Sequence, residues 1–123
     1  MQQNGVARVS RGPVLLDARA GERFRGEVEP VDPRAGHIPG ATSAPTADNL
    51  DGRGRFLDPE TLRARFARLG AVPDSRVVVY CGSGVTAAHE VAALASIGVE
   101  AALYAGSWSQ WSADPGRAVA TGA

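Results

Sequence analysis

Four short runs along the chain alternate with segments of a different period. PVLLDAR (13–19), ATSAP (41–45), RVVVYC (76–81) and VEAALYAG (99–106) read as strands. The third is an almost unbroken β-branched run, which suits a parallel strand covered by helices on both faces. Between the runs the pattern turns helical. In DPETLRARFARLG (58–70), Leu62, Phe66 and Leu69 fall on one stripe. Asp58 is a good N-cap there, Pro59 fits the first helical position and Gly70 fits the stop. Residues 85–97 predict a small-residue helix ending at Gly98, and SWSQW (107–111) a short helical turn with Trp108 and Trp111 as large anchors. Residues 1–12 are polar and read as a loose lead-in. Residues 20–40 form a long, charge-dense loop with one helical turn near Glu22, a length often tied to function. The tail from Ser112 is irregular. This order predicts one α/β domain over 13–123, a parallel sheet flanked by helices, with no internal repeat and no dividing linker.

Composition narrows the function classes. A chain of 123 residues, 44% hydrophobic, suits one domain with a modest core. Thirteen Lys+Arg balance thirteen Asp+Glu, so no net charge draws the chain to nucleic acid or to an anionic membrane. All these cations are arginines, so any fixed positive site is a guanidinium, which matches planar carboxylates. No run approaches membrane-spanning length, and the N-terminus lacks a secretory apolar core. The one cysteine has no partner in the chain for a disulfide, so a reducing cytoplasm is the simpler setting.

That cysteine, Cys81, ends the third strand. Gly82-Ser83-Gly84-Val85-Thr86 follows and leads into a helix. In open α/β sheets, ligands bind beyond the carboxyl ends of the strands. A glycine-rich turn can curl its amides inward, and the helix N-terminus adds partial positive charge, so a thiolate or bound anion is favoured there. The plainer alternative is a small buried hydrophobe. Cysteine phosphatases use C-x5-R, and the arginine position here is Ala87, so phosphate-ester attack lacks its clamp. Sulfur transfer needs a stabilised persulfide and no such clamp.

LLDARAGERFRGEVEPVDPRAGHIPGA (15–41), VVVYCGSGVTA (77–87) and LYAGSWSQW (103–111) together resemble the rhodanese superfamily. They are most similar to the C-terminal catalytic domain of the two-domain thiosulfate and 3-mercaptopyruvate sulfurtransferases. The resemblance implies a rhodanese fold with a parallel sheet of about five strands between helices. It implies Cys81 as persulfide carrier, with the amides of Gly82 to Thr86 cradling the sulfur. The small neutral residues after Cys81 resemble the mercaptopyruvate type, in which the serine at position 83 helps polarise the thiol; the thiosulfate type places basic residues there. Arg23 and Arg34 match the arginines that bind the substrate carboxylate. The resemblance also implies a small-molecule sulfur donor, a thiol or cyanide acceptor, no cofactor and no metal. It further implies an N-terminal rhodanese-like domain absent from this chain, whose loss would leave the pocket open on one side.

Two other readings stand beside sulfur transfer from 3-mercaptopyruvate. One is thiosulfate as the main donor, and the other a non-catalytic rhodanese-like interaction module. Neither His37, in a Gly/Pro turn, nor His89, eight residues past Cys81, is expected as a general base. Two histidines and one cysteine without close spacing make no metal site. Asp17 could line the pocket, but pairing with Arg19 to pin the fold is the stronger expectation.

Overall fold

The computed structural model describes residues 13–82 and 85–123. The expected lead-in at 1–12, and Ser83 and Gly84 of the cysteine loop, lie outside the described residues. Strands β1 (Val14–Asp17), β2 (Thr42–Ser43), β3 (Val77–Tyr80) and β4 (Ala101–Leu103) form one parallel sheet in the order β2-β1-β3-β4. In register, Leu16 of β1 lies between Thr42 of β2 and Val79 of β3. The described residues thus carry four strands where the resemblance implies about five.

Helices α1 (Gly21–Phe24), α2 (Pro59–Arg68), α3 (Val85–Ser96) and α4 (Ser107–Ala113) connect and cover the strands, with a 3-10 turn at Thr46–Asn49. Helix α2 starts as its sequence predicts. The Asp58 carboxylate accepts the Thr61 N–H at 3.2 Å, Pro59 opens the first turn, and Gly70 takes a φ of 84° beyond the end. Strand β4 is shorter than the run that announces it. Tyr104 N–H still bonds the Val79 carbonyl at 2.9 Å, but the Ser107 N–H then folds back onto the Tyr104 carbonyl. That turn ends the strand and starts α4.

The pleat of the sheet feeds two cores. Leu16, Val77 and Val79 meet Leu62 and Phe66 of α2 and Leu94 of α3 in one core. Leu15 and Tyr80 meet Ile38 and Trp108 in the other. Burying a side chain such as Leu94 or Phe66 contributes about 1.5–3 kcal/mol. The tail is more ordered than its composition suggests. His37 and Ala120 exchange backbone hydrogen bonds of 2.8 and 2.9 Å beside Gly36, whose φ is 124°. A Cβ on Gly36 would strike the Ala120 carbonyl, so glycine lets the tail approach. No helix among the described residues is long and apolar enough to cross a membrane.

Candidate active site

Strand β3 delivers Cys81 to the carboxyl edge of the sheet, buried at 1% exposure. Its backbone is held from the α4 side. The Cys81 N–H donates to Ser107 Oγ at 3.1 Å, the Cys81 carbonyl accepts the Trp108 N–H at 2.8 Å, and the Gly82 carbonyl accepts the Ser109 N–H at 2.9 Å. The start of α4 thus replaces the neighbour that β4 no longer supplies. Ser107 sits at a φ of 52°, a region that residues with a Cβ rarely enter, and its hydroxyl donates to the Tyr104 carbonyl at 2.8 Å. On the other side, the Ala87 N–H in the first turn of α3 points at Cys81 Sγ, 3.1 Å away. The sulfur therefore sits at the positive end of a twelve-residue helix.

A cleft of about 310 Å³ opens beside this loop. Its walls come from the carboxyl ends of three strands: Ala18, Arg19 and Ala20 after β1, with Arg23 of α1; Pro45, Thr46 and Ala47 after β2; Gly82 and Thr86 after β3. Two larger hollows, of about 420 and 500 Å³, lie elsewhere, one beside Phe24 and Ala123, the other at the amino ends of β3 and β4. Among the described residues, neither is lined by the cysteine loop, and the smaller cleft is the one placed for its chemistry.

Two arginines line the cleft. Arg23 lies against Gly82, where a Cβ would come 3.3 Å from Arg23 Nη1; its Nη2 donates to Glu29 at 3.0 Å and to Asp32 at 3.3 Å. Arg19 is buried. Its Nη2 donates to Asp17 at 2.6 Å and to the Gly36 carbonyl at 2.6 Å, and its guanidinium stacks over the Trp108 ring at 4.9 Å. Burial works against the Arg19 charge, but the Asp17 hydrogen bond and charge outweigh it and hold its pKa above the ordinary value. The expected Asp17–Arg19 pair is therefore present.

Arg34 does not join Arg23. Its Nε and Nη2 donate to the carbonyls of Ser112 and Asp114 at 3.0 and 2.8 Å, and its own carbonyl accepts the Trp108 indole N–H at 2.9 Å. Those bonds tie the first loop to the end of α4, and the Arg34 side chain is not among the cleft walls. Of the two arginines matched to carboxylate binding, the structure thus places Arg23 on the cleft wall and Arg34 against the end of α4. Sequence spacing placed both in one loop but could not show which carbonyls sit above each.

The histidines have structural partners. His37 stacks on Phe24 with ring centroids 3.7 Å apart, and its Nδ1 bonds the Phe24 carbonyl at 2.7 Å. His89 Nδ1 pairs with the Thr46 hydroxyl at 2.7 Å. Tyr80 OH accepts the Ile38 N–H at 3.0 Å, and burial holds its phenol protonated well above the usual range. Sequence reasoning missed three groups here: Ser107 and the acids Glu29 and Asp32. The acids were visible as charges in a loop, but nothing local marks which arginine they would meet.

The Rhodanese-like domain family matches residues 3–114. The chain belongs to that family. It is 60% identical over 113 residues to a Pseudomonas aeruginosa protein named "Probable 3-mercaptopyruvate sulfurtransferase", covering 90% of this chain and 40% of the relative. SseB of Mycobacterium tuberculosis, named for the thiosulfate reaction, is 56% identical over 111 residues, covering 90% of this chain and 39% of that protein. The 3-mercaptopyruvate sulfurtransferase of Escherichia coli is 42% identical over 102 residues, covering 80% and 36%. The chain thus spans about two fifths of the length of these relatives. Among solved structures, the anaerobic ergothioneine biosynthesis enzyme from Chlorobium limicola, in complex with trimethyl histidine, superposes with a TM-score of 0.84 at 24% identity. That match covers 93% of this chain and 29% of the other, and it establishes the fold of the rhodanese-like domain here.

Proposed function

We propose that this rhodanese-like domain is a sulfurtransferase that carries sulfane sulfur on Cys81 as a persulfide. The observation that supports this most directly is the Ala87 N–H aimed at Cys81 Sγ at the start of α3, beside a cleft walled by two arginines. The Cys81 thiolate attacks the sulfur of 3-mercaptopyruvate and a Cys–S–S bond forms. The donor's C–S bond breaks, and its electron pair leaves with pyruvate as the enolate, which takes up a proton. An acceptor thiolate (or cyanide) then attacks the outer sulfur and regenerates the Cys81 thiolate. With thiosulfate the S–S bond breaks and sulfite leaves. The name of the P. aeruginosa relative favours mercaptopyruvate as donor, and that of SseB keeps thiosulfate as the second.

Arg23 is the proposed carboxylate partner, in keeping with its place on the cleft wall. On the resemblance, Ser83 polarises the thiol and the amides from Gly82 to Thr86 cradle the outer sulfur. A second rhodanese-like domain is the proposed covalent or separate partner, since the relatives are more than twice as long as the match. The reaction suits a reducing cytoplasm, where a lone thiol survives.

The test is sulfur loading. The reduced protein is incubated with either donor, and its intact mass is measured before and after dithiothreitol. Gain of one sulfur atom, removed by the reductant and absent in Cys81→Ser, is the expected outcome. Equal loading of Cys81→Ser would refute the persulfide role.

A further inference from the structure

The arginines of the cleft are backed by acids that outnumber them. Arg23 Nη2 donates to Glu29 and Asp32, Arg19 Nη1 lies 3.5 Å from Glu29 Oε1, and Arg19 Nη2 is held by Asp17. Among the described residues, these two guanidiniums are set against three carboxylates, and Arg65, whose Nη2 donates to the Pro45 carbonyl of the opposite wall at 2.8 Å, brings the third positive charge. Glu29 and Asp32 are fixed in place. Glu29 Oε2 accepts the backbone N–H groups of Val31 and Asp32 at 3.1 and 2.9 Å, and Asp32 Oδ1 accepts the Ser109 hydroxyl at 2.7 Å. Their side chains are 7% and 6% exposed, so water screens them weakly. Burial pushes the Glu29 carboxyl up, but the two amides and Arg23 outweigh it and hold its pKa below the ordinary value, so it stays charged. Both arginines line the cleft, and the acids that hold them cancel their positive charge from behind.

We propose that Glu29 and Asp32 are specificity-determining residues. By compensating Arg19 and Arg23 they suit the cleft to a sulfur donor with one negative charge, such as a 2-oxo-3-thiol carboxylate, and disfavour a dianion such as thiosulfate. This rests on the sulfur-transfer reading above.

The test uses two pairs of reagents on the whole chain, each pair differing by one negative charge. Iodoacetamide and iodoacetate report on the charge near Cys81 without any sulfur chemistry; 3-mercaptopyruvate and thiosulfate report on donor choice. Glu29→Gln and Asp32→Asn keep the hydrogen-bond acceptors and remove the charge. Each is expected to raise the iodoacetate-to-iodoacetamide rate ratio about fivefold, and the thiosulfate-to-mercaptopyruvate loading ratio by a similar factor. A folding defect is set apart by the absolute rates, because exposing the buried Cys81 speeds alkylation by both reagents while loss of the cleft slows loading from both donors. Unchanged ratios in both variants overturn the proposal, and so does a shift in one pair without the other. If the wild-type chain loads from neither donor, the sulfur-transfer reading falls, and the alkylation ratio alone then decides the charge claim.

Discussion

Replacing Glu90 with glutamine should stabilise the protein at pH 8 and do little at pH 5. Glu90 is fully buried on α3. Its Oε1 accepts the Asn49 amide at 3.2 Å, and its Oε2 has no hydrogen-bond partner. Burial pushes the carboxyl up from 4.5 to about 7, against the Asn49 hydrogen bond and the Arg65 charge, which pull it down. Between those two values the folded protein keeps a proton that the unfolded chain has released. Stability therefore falls as pH rises through that window, and the full penalty is present above it. At about 1.4 kcal/mol per pH unit, the penalty at pH 8 is about 3 kcal/mol, and at pH 5 it is under about 1 kcal/mol. Glutamine removes the charge and keeps an acceptor for Asn49. It also brings an N–H donor to a pair whose Asn49 Oδ1 has no partner. Urea unfolding of both proteins at the two pH values isolates the effect, because every other titrating group cancels in the difference. A stability difference that is the same at pH 5 and pH 8 would refute the reasoning.

Asp17→Asn removes the charge that holds Arg19 in the interior and should cost about 3 kcal/mol in urea unfolding. A loss under about 1 kcal/mol would mean that Glu29, 3.5 Å away, suffices for Arg19. Ser107→Ala takes the acceptor from the buried Cys81 N–H while keeping a Cβ at a φ of 52°, whereas Ser107→Gly loses the acceptor but relieves the backbone. The glycine variant should be the more stable by about 1 kcal/mol in thermal unfolding, and equal stabilities would remove strain as the cause. Asp58→Ala deletes the cap of α2 and should cost about 1 kcal/mol, read from the denaturation midpoint.

Legibility in the sequence followed the range of the interactions involved. The Asp58 cap and the junction of β3, Cys81 and α3 are set within a turn or two of chain, and both appear where the sequence puts them. Strands β1, β3 and β4 were visible as apolar runs and β2 as a brief segment in ATSAP, although β4 stops early because α4 turns in to bond Cys81 and Gly82. Arg34 shows the limit. It shares a loop with Arg23, yet its guanidinium binds carbonyls about eighty residues away. Glu90 reads as an ordinary helical glutamate until Asn49 of the 3-10 turn closes over it.

The sequence by itself determined the element types, the parallel α/β class and the placing of a thiol before a helix. Those follow from backbone preference, capping and the period of apolar residues, all local properties. Only the tertiary structure decided which arginine faces the cleft, which acids stand behind it, and that Ser107 holds the Cys81 amide. Charge pairing and burial depend on which distant segments meet, and among thirteen arginines and thirteen acids a linear sequence leaves that choice open.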